Sequence, residues 1–272
     1  MSEANLVART GAAPPTVETL ARDLAALGVA PGDVLLVHCA LSSLGWVVGG
    51  APAVVAAVTR AVGPDGTIAM PTQSGHLTDP AEWQAPPVPR EWLPVIRANM
   101  PAFDPATTPT RRMGVVAENF RTHPGALRSR HPHVSFAARG PRAAEITSGH
   151  GYDDGMGENS PLARLYDLDA SVLLLGVGHA RNTSLHLAEH RAAWPSKERR
   201  TVAGPILVDG RRQWATFSDI DFDDGDFDDI GHAYEIATGA VAVGPVGRAT
   251  ARLMRQRPLV DFAARWMAAN RR

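Results

Sequence analysis

The sequence predicts one α/β domain, and three features of its pattern carry that prediction. A short apolar run at 34–38 (VLLVH) precedes a helical stretch at 51–62 and a second β-type run at 67–72. This order is a βαβ unit, which implies a largely buried sheet covered by helices. A third buried run follows at 171–178 (SVLLLGVG), and no internal repeat or low-complexity linker divides the chain. We therefore expect a single domain over residues 1–272.

Turn and cap residues place two further elements. From Thr16 the leucines recur at helical spacing until Gly28, a residue type suited to the left-handed position after a helix. Two β-type runs flank Asp209-Gly210, which is a strong signal for a tight hairpin. The pattern thus predicts a helix ending at Gly28 and a hairpin over 205–217.

The remaining segments are less regular. Residues 73–109 are rich in proline and polar residues with little periodicity, and so long a loop is usually functional or mobile. An acidic stretch occupies 219–229. Two helical segments are predicted to close the chain, at 247–256 and 259–269.

Composition excludes several classes of partner. Lys plus Arg number 27 and Asp plus Glu 28, and no basic run with interleaved aromatic residues occurs, so nucleic acid is not an expected partner. No apolar run approaches the length of a membrane span, and the first residues do not resemble a signal peptide. The single cysteine, Cys39, favours a reducing compartment. These features predict a soluble cytoplasmic protein.

The first candidate site lies at the start of the helix predicted after the third strand. Asn182, Thr183 or Ser184 can cap this helix. His186 then falls in its first turns, where the helix dipole disfavours the imidazolium and leaves the ring free to accept a proton. Glu189 is three residues further on, on the same face. The spacing fits a base with a supporting carboxylate, and equally an amphipathic helix with solvated polar residues.

A zinc site is the competing interpretation of the same helix. The letters HLAEH fit H-x-x-E-H, the inverted zinc-peptidase motif. His186 and His190, four residues apart, could both reach one zinc ion. A third protein ligand would be needed, and the residues that follow do not nominate one.

The acidic stretch 219–229 is the second candidate site. Counted from its first residue, Asp224 and Ile230 stand where a calcium-binding EF-hand loop needs glycine and glutamate, so that pattern fails. The distal aspartates are expected to form a solvated loop. Asp219 and Asp221 differ because they directly follow a predicted strand. Such a pair of carboxylates would attract a ligand with several ammonium groups.

Three other positions have ordinary structural interpretations when taken alone. The His-Pro-His triplet at 131–133 is typical of a surface turn. His38, at the end of the first strand, is expected to be a core histidine with its hydrogen bonds satisfied. Ser42 and Ser43 could cap the turn that follows.

Taken together, several long stretches make the chain resemble one known family. They are VHCALSSLGWVVGG, GPDGTIAMPT, PAFDPATTPTRRMGVVAENF, RSRHPHVSFAARGP, GENSPLARLYDLDASVLLLGVGHARNTSLHLAEH and PILVDGRRQWATFSDIDFDDGDF. In sequence and in order these resemble the aminoglycoside 3-N-acetyltransferases, from about Thr16 to Trp266. The resemblance implies a three-layer α/β/α sandwich around a central mixed sheet, which is not the common small acetyltransferase fold. It implies acetyl-CoA as cofactor and the 3-amino group of a 2-deoxystreptamine aminoglycoside antibiotic as acceptor.

The resemblance also assigns roles to residues. His186 matches the family's catalytic histidine, and Glu189 matches the carboxylate beside it, which can also hold a cationic substrate. Asp219 and Asp221 match acidic positions that bind the ammonium groups of the antibiotic, and Glu118 is a further candidate for that role.

A separate set matches the wall along which coenzyme A lies. Its members are His38, Ala40, Leu41, Ser42, Ser43, Pro71 and Thr72. Cys39-Ala40 departs from the family, in which two small hydroxyl residues often stand here, so a hydroxyl contact to the cofactor is in doubt.

These observations lead to a mechanism in which the amine attacks acetyl-CoA directly while His186 accepts its proton, with no acyl-enzyme and no metal. Three alternatives stay open at this point: a covalent route through Cys39, a zinc hydrolase using HLAEH, and an acetyltransferase acting on a different amine. The protein is expected to be a monomer or homodimer that confers antibiotic resistance.

Overall fold

A seven-stranded β-sheet forms the centre of the computed structural model, which describes residues 3–272. The strands found there are β1 (Val34–Cys39), β2 (Thr67–Pro71), β3 (Leu127–Arg128), β4 (Phe136–Arg139), β5 (Ser171–Leu175), β6 (Arg199–Val208), β7 (Arg211–Ile220), β8 (Ala242–Val246) and β9 (Ala249–Arg255). The helices are α1 (Glu3–Thr10), α2 (Val17–Leu27), α3 (Gly50–Val62), α4 (Leu93–Asn99), α5 (Gly114–Arg121), α6 (Ala143–Thr147), α7 (Pro161–Asp167), α8 (Ser184–Arg191), α9 (Phe227–Thr238) and α10 (Gln256–Asn270).

The sheet is mixed, with its parallel strands at the centre. Its order is β3-β4-β2-β1-β5-β9-β8. β1 pairs in parallel with β2 on one side and with β5 on the other. All four outer pairings are antiparallel. The carboxyl ends of the three parallel strands therefore meet at one edge of the sheet, where open α/β sheets bind ligands.

Helices cover both faces of this sheet. Because side chains alternate along a strand, Leu35 and Val37 pack with α2, α3 and α5. Leu36, between them, packs on the opposite face with α6 to α10. All three leucine and valine side chains are essentially inaccessible to solvent. The result is a three-layer α/β/α sandwich, and the predicted fold is confirmed.

Local sequence rules account for several element ends. Thr16 caps α2, and Gly28 follows the helix at φ +114°. β6 and β7 form a separate two-stranded hairpin. At its turn Asp209 and Gly210 both have positive φ (50° and 73°), which matches the twist of the flanking strands. The predicted hairpin is confirmed and extends to residues 199–220.

The prediction of a helix over 247–256 is wrong. Within this stretch, residues 249–255 form β9, which pairs with β5 on one side and with β8 on the other. Ala251 and Met254 are buried against the sheet. Gly247, at φ +57°, makes the tight turn from β8. Pairing with a buried strand has overridden the helix-forming tendency of ATARLMR, as tertiary context commonly does.

Two segments expected to be irregular are more ordered than predicted. Residues 73–109 contain α4, and Leu77, Met100 and Phe103 form a small core with the β6–β7 hairpin. In the acidic stretch, α9 begins at Phe227. Asp228 accepts a hydrogen bond from the backbone N–H of Ala180 (2.8 Å), so the distal aspartates are not simply a solvated loop.

A close approach fixes the position of α9 against the loop that follows β5. Gly231, in the middle of α9, lies against His179, which is buried and hydrogen-bonded to Glu235 (2.9 Å). A Cβ at position 231 would lie 1.9 Å from Cγ of the His179 ring. The absence of a side chain is therefore what lets the helix and the loop pack together.

Replacing Gly231 by alanine should lower stability although alanine favours helices. Helix propensity would contribute about 1 kcal/mol in favour of alanine, whereas steric overlap in a packed core costs about 1–3 kcal/mol. At 1.9 Å we expect the overlap to dominate and the urea midpoint to fall. Ile236→Ala, at a position in the same helix that is 87% exposed, is the control and should change stability little. Unchanged or increased stability of Gly231→Ala would contradict the packing described.

Candidate active site

A cleft of about 780 Å³ opens at the carboxyl ends of the parallel strands. His38 comes from the end of β1, Pro71 from the end of β2, and Val177 from the loop after β5. The opposite side is formed by Asn182, Thr183 and His186 at the start of α8, and by Phe227 of α9, among others. The cleft thus lies where the topology of the sheet predicts a ligand site.

His186 lies on the cleft with one of its ring nitrogens engaged by a carboxylate. The start of α8 is fixed by Asn182, whose side-chain oxygen accepts from the backbone N–H of Ser184 (3.2 Å). One turn along, Nδ1 of His186 lies 2.6 Å from Oε2 of Glu189. An ionised carboxylate only accepts hydrogen bonds, so Nδ1 carries a proton. Nε2 is then the nitrogen available to a ligand in the cleft.

Two phenylalanine rings fix the plane of the imidazole. The ring centroids of Phe222 and Phe227 lie 4.8 and 4.9 Å from that of His186, both nearly edge to face. The His186 side chain remains 14% exposed. The imidazole is therefore held firmly but is still open to the cleft.

Glu189 is fully buried yet ionised. Burial by itself would raise its pKa, but hydrogen bonds from His186 and Arg271 outweigh that effect and hold the pKa below its ordinary value. Oε1 accepts from Nη1 of Arg271 (2.7 Å) and from the backbone N–H of Asp223 (3.0 Å). Sequence reasoning missed Arg271, because it is 82 residues from Glu189 and belongs to no local pattern.

His38 borders the cleft as a neutral imidazole. Burial, with a smaller contribution from nearby His186, lowers its pKa to about 3. Its Nε2 lies 3.4 Å from Oγ1 of Thr183. His38 is thus more than a core residue, since it forms part of the cleft surface.

The predicted cofactor wall falls into two parts. Ala40, Leu41 and Ser42 line the cleft together with His38 and Pro71. Ser43 faces an adjoining pocket of about 610 Å³, and its hydroxyl donates to the carbonyl of Gly176 (2.9 Å).

Thr72 lies behind this wall. It is fully buried, its backbone N–H donates to the carbonyl of Ser135, and it is not among the residues that line the cleft. Only Pro71 of the predicted Pro71-Thr72 pair therefore reaches the cleft surface.

The adjoining pocket carries arginine side chains. Arg248 and Arg252 line it together with Arg9 and the Gly176–Gly178 loop. Nε of Arg252 donates to Glu235 (2.7 Å), while Arg248 donates to the carbonyl of Thr10. Ser42 lines both spaces, so the pocket continues the cleft at its cofactor wall.

The predicted acidic residues are dispersed. Asp219 is buried, and burial raises its pKa to about 6. Asp221 is exposed and pairs with Arg200 (3.1 Å). Neither lines the cleft that holds His186, whereas Asp224 does.

Glu118 also lies apart from the cleft lining. Its carboxylate accepts from the backbone N–H of Thr110 (2.8 Å) and pairs with Arg121. Burial opposes ionisation, but these hydrogen bonds prevail and lower the pKa to about 2. The Glu118 carboxylate is thus already bonded to other groups of the protein.

The two histidines of HLAEH do not converge on one point. Within residues 3–272, one group of at least three metal-ligating side chains lies close enough to hold an ion, and it combines His190 with Asp154 and Asp219. His186 is not part of it and is bonded to Glu189 instead. The geometry therefore does not support a zinc site that uses both histidines of the motif.

The His-Pro-His triplet is buried, and the prediction of a surface turn is wrong. Nδ1 of His131 accepts from the backbone N–H groups of His133 and Val134 (both 3.1 Å). The rings of His131 and His133 pack against each other and against Phe217 of β7. His150 completes the cluster, 4.9 Å from His131. A turn that contacts a strand of the hairpin is excluded from water.

Comparisons with known proteins agree with this geometry. Residues 36–268 match the family model for aminoglycoside 3-N-acetyltransferases. The chain is 43% identical over 258 residues to an aminoglycoside N(3')-acetyltransferase-like protein of Bacillus subtilis, YokD, with 94% of each chain covered. It is 40% identical to aminoglycoside N(3)-acetyltransferase VII of Streptomyces paromomycinus, covering 98% of this chain and 96% of that one.

Solved structures give the same result. The crystal structure of YokD superimposes with a TM-score of 0.95 at 42% identity, covering 98% of both chains. The structure of AAC-IIIb in binary complex with CoASH gives 0.85 at 33% identity, covering 94% of this chain and 97% of that one. The fold and site thus define an acetyltransferase outside the common small acetyltransferase fold. This chain belongs to the aminoglycoside 3-N-acetyltransferase family, whose acetyl donor is acetyl-CoA.

The buried histidine cluster predicts loss of stability in acid. Burial, the largest influence, lowers the pKa of His133 and His150 to about 4, against about 6.5 in an unfolded chain. Between these values the unfolded state binds more protons, so its stability relative to the folded state increases as pH falls. We expect the free energy of unfolding to drop by up to about 1.4 kcal/mol per pH unit for each histidine in this window.

Urea unfolding at pH 7, 6 and 5 measures this slope, and His150→Gln should reduce it. His123, which is half-buried and lies outside this cluster, is replaced in the same way as the control and should leave the slope unchanged. Asp219 acts in the opposite direction because its pKa is raised, so slopes are compared between variants. If the wild type, His150→Gln and His123→Gln had equal slopes, His150 would not be a source of the acid instability.

Proposed function

We propose that this chain transfers the acetyl group of acetyl-CoA to the 3-amino group of a 2-deoxystreptamine aminoglycoside, with His186 as general base. The observation that carries the proposal is the placement of His186 on the cleft, with Nδ1 bonded to ionised Glu189 and Nε2 available. Membership of the acetyltransferase family supplies the reaction class.

The chemistry follows from the protonation state of the acceptor. An ammonium group has no lone pair, so the amine must lose a proton before or during its attack on the thioester carbonyl. In our mechanism the ammonium group first loses one proton to solvent. The neutral amine then forms a C–N bond to the acetyl carbon, and a second proton passes from the nitrogen to Nε2 of His186. The tetrahedral intermediate collapses by breaking the C–S bond, and the imidazolium returns the proton to the departing thiolate. Glu189 stabilises the transient imidazolium.

The donor side of the proposed complex uses the predicted wall. Ala40, Leu41 and Ser42 offer a surface of small and apolar groups for the pantetheine arm. The adjoining pocket, with Arg248 and Arg252, suits the phosphate groups of coenzyme A, because guanidinium groups bind phosphate well. With its nucleotide in the adjoining pocket and its thioester in the cleft, acetyl-CoA would present its reactive carbonyl to His186.

The acceptor side needs carboxylates for the other ammonium groups. Asp224 is the acidic residue that lines the cleft beside His186, and we propose it as a contact for the antibiotic. Asp219 and Asp221 stay candidates for ammonium groups further from the reacting nitrogen. Glu118 is a weaker candidate, since its oxygens are already paired with Arg121 and Thr110.

Acetylation would change the electrostatics of the acceptor. Each transfer converts one ammonium group into a neutral amide and removes one positive charge. Polycations bind anionic targets largely through such charges. We therefore propose that the product loses affinity for its target and that the enzyme confers antibiotic resistance.

Replacing His186 by alanine tests the function and the base together. Thiol release from acetyl-CoA is measured with a panel of aminoglycosides, and loss of a general base should lower kcat about 100-fold or more. His123, which is half-buried and does not line the cleft, is replaced by alanine as the control and should retain activity. Wild-type acetylation of another amine but of no aminoglycoside would refute the proposed acceptor. Full activity of His186→Ala would refute the proposed base.

Direct transfer further predicts that Cys39 is never acetylated. Burial raises the pKa of its thiol to about 12, so the nucleophilic thiolate is essentially absent at neutral pH. Intact-mass spectrometry after exposure to acetyl-CoA should show no added acetyl group, and Cys39→Ala should retain turnover. Covalent catalysis would instead acetylate Cys39 and add about 42 Da to the protein. Such an adduct, if absent from Cys39→Ala, would overturn the direct mechanism.

A further inference from the structure

Arg271 is the penultimate residue of the sequence, yet its side chain is only 8% exposed and lies beneath the candidate active site. Nη1 donates to Oε1 of Glu189 (2.7 Å). Nε and Nη2 donate to the two carboxylate oxygens of Asp226 (2.8 and 2.6 Å), and Nη2 also to the carbonyl of Asp223 (2.7 Å). The guanidinium lies 4.9 Å above the ring of Trp194. Hydrogen bonds and this aromatic contact thus fix the position of the guanidinium.

We propose that Arg271 is a positioning residue that determines which nitrogen of His186 carries the proton. This inference rests on the proposed function, in which Nε2 must be free to accept a proton. Arg271 does not reach the cleft lining. It acts through Glu189.

The charge of Glu189 depends on a cation in contact with it. This carboxylate has no access to water, and a buried carboxylate without a cation nearby tends to become neutral. Besides Arg271, its donors are Nδ1 of His186 and the backbone N–H of Asp223. Arg271 supplies the permanent positive charge that contacts the carboxylate, because guanidinium does not lose its proton in proteins. The nearby Lys197 ammonium donates to the backbone carbonyls of Glu189, His190 and Ala192 and not to this carboxylate, and burial lowers the pKa of His190 to about 4.

The tautomer follows from that charge. While Glu189 is ionised it can only accept, so the imidazole must present Nδ1–H to it and keep the lone pair on Nε2. A protonated Glu189 would instead donate to Nδ1. The ring proton of the neutral imidazole would then move to Nε2, which would leave no lone pair for the acceptor amine. The positive charge of Arg271, which does not itself line the cleft, thereby determines whether Nε2 of His186 can accept a proton.

Asp226 holds the arginine in the orientation this requires. It binds the guanidinium through both oxygens, a geometry that fixes direction as well as distance. Asp226 immediately precedes α9, and Phe227, the next residue, packs on the His186 ring. The same ion pair therefore joins the end of α10 to the element that orients the imidazole.

The direct test observes the tautomer without substrate. Protein labelled with 15N-histidine gives separate imidazole Nδ1 and Nε2 resonances, and the His186 signals are assigned by their loss in His186→Gln. In the wild type at pH 7 to 8 we expect the Nδ1-protonated form. In Arg271→Met we expect the Nε2-protonated form to become dominant. An unchanged tautomer in folded Arg271→Met would overturn the proposal.

Kinetics provide the second readout. Arg271→Met should lower kcat at pH 7 by about ten-fold or more, with little change in KM. The pH at which activity is lost in acid should rise by about one unit, because Glu189 must now ionise without its counter-ion. Arg271→Lys should be intermediate, since it keeps the charge but loses the two-pronged contact. A loss of activity that is equal at every pH would indicate a merely structural role and contradict the proposal.

A matched control comes from Arg257. Its guanidinium also lies over an aromatic ring, that of Tyr166 (5.1 Å), and donates to backbone carbonyls, but it contacts no carboxylate beneath the cleft. Arg257→Met should leave both the tautomer and the pH profile unchanged. If Arg271→Met fails to fold, Asp226→Asn, which releases the guanidinium while keeping the charge at position 271, should shift both readouts in the same direction by less.

Failure of the acetylation hypothesis would remain distinguishable. If the wild type acetylates no amine but Arg271→Met still changes the His186 tautomer, the positioning role stands and the proposed reaction falls. If acetylation occurs and the tautomer does not respond, the reaction stands and the role of Arg271 falls.

Discussion

The chemistry of the site depends on one buried carboxylate. Glu189 has no exposed surface, so every one of its hydrogen bonds must come from the protein. Its donors come from its own helix, from the loop after the hairpin and from the end of the chain. The requirement to satisfy this single group brings together segments distant in sequence, and the packing of α8, α9 and α10 on one face of the sheet meets it. The geometry of the candidate site thus depends on the whole helical layer.

Histidines in this protein show how the same side chain acquires different roles. His38, His133 and His150 are buried, and exclusion of water lowers the pKa of each. His133 and His150 serve as neutral packing and hydrogen-bonding groups, and His38 borders the cleft as a neutral ring. His186 also borders the cleft, but one of its nitrogens contacts an ionised carboxylate. What distinguishes the proposed base from the other histidines is therefore an anion behind a ring that faces open space.

Local sequence signals predicted the parts of the fold that obey local rules. The central strands, the cap at Thr16 and the hairpin turn at Asp209-Gly210 follow from apolar runs and from residues with special backbone preferences. The strand at 249–255 could not be predicted in this way, because its pairing with β5 involves residues distant in the sequence. Proximity in the sheet decided its conformation.

The contacts of the candidate site divide in the same way. His186 and Glu189 lie one turn apart on one helix, so their contact could be predicted from spacing. Arg271 required knowledge of the tertiary fold. Asp219 and Asp221 looked alike as residues of one strand end, but β7 ends at Ile220. Asp219 is therefore buried within the hairpin, whereas Asp221 lies beyond it and is exposed. The wall residues were placed by resemblance, and Thr72 lies one position too deep to reach the surface.

Cys39 borders the cleft, beside the place where a transferase of this kind would release a free thiol. Thiol–disulfide exchange requires a thiolate as the attacking group, and burial keeps Cys39 protonated. Oxidised coenzyme A or a mixed disulfide in the cleft would therefore meet an unreactive sulfhydryl. A protonated Cys39 makes the cleft tolerant of a sulfur-containing product, because a mixed disulfide with coenzyme A would form slowly.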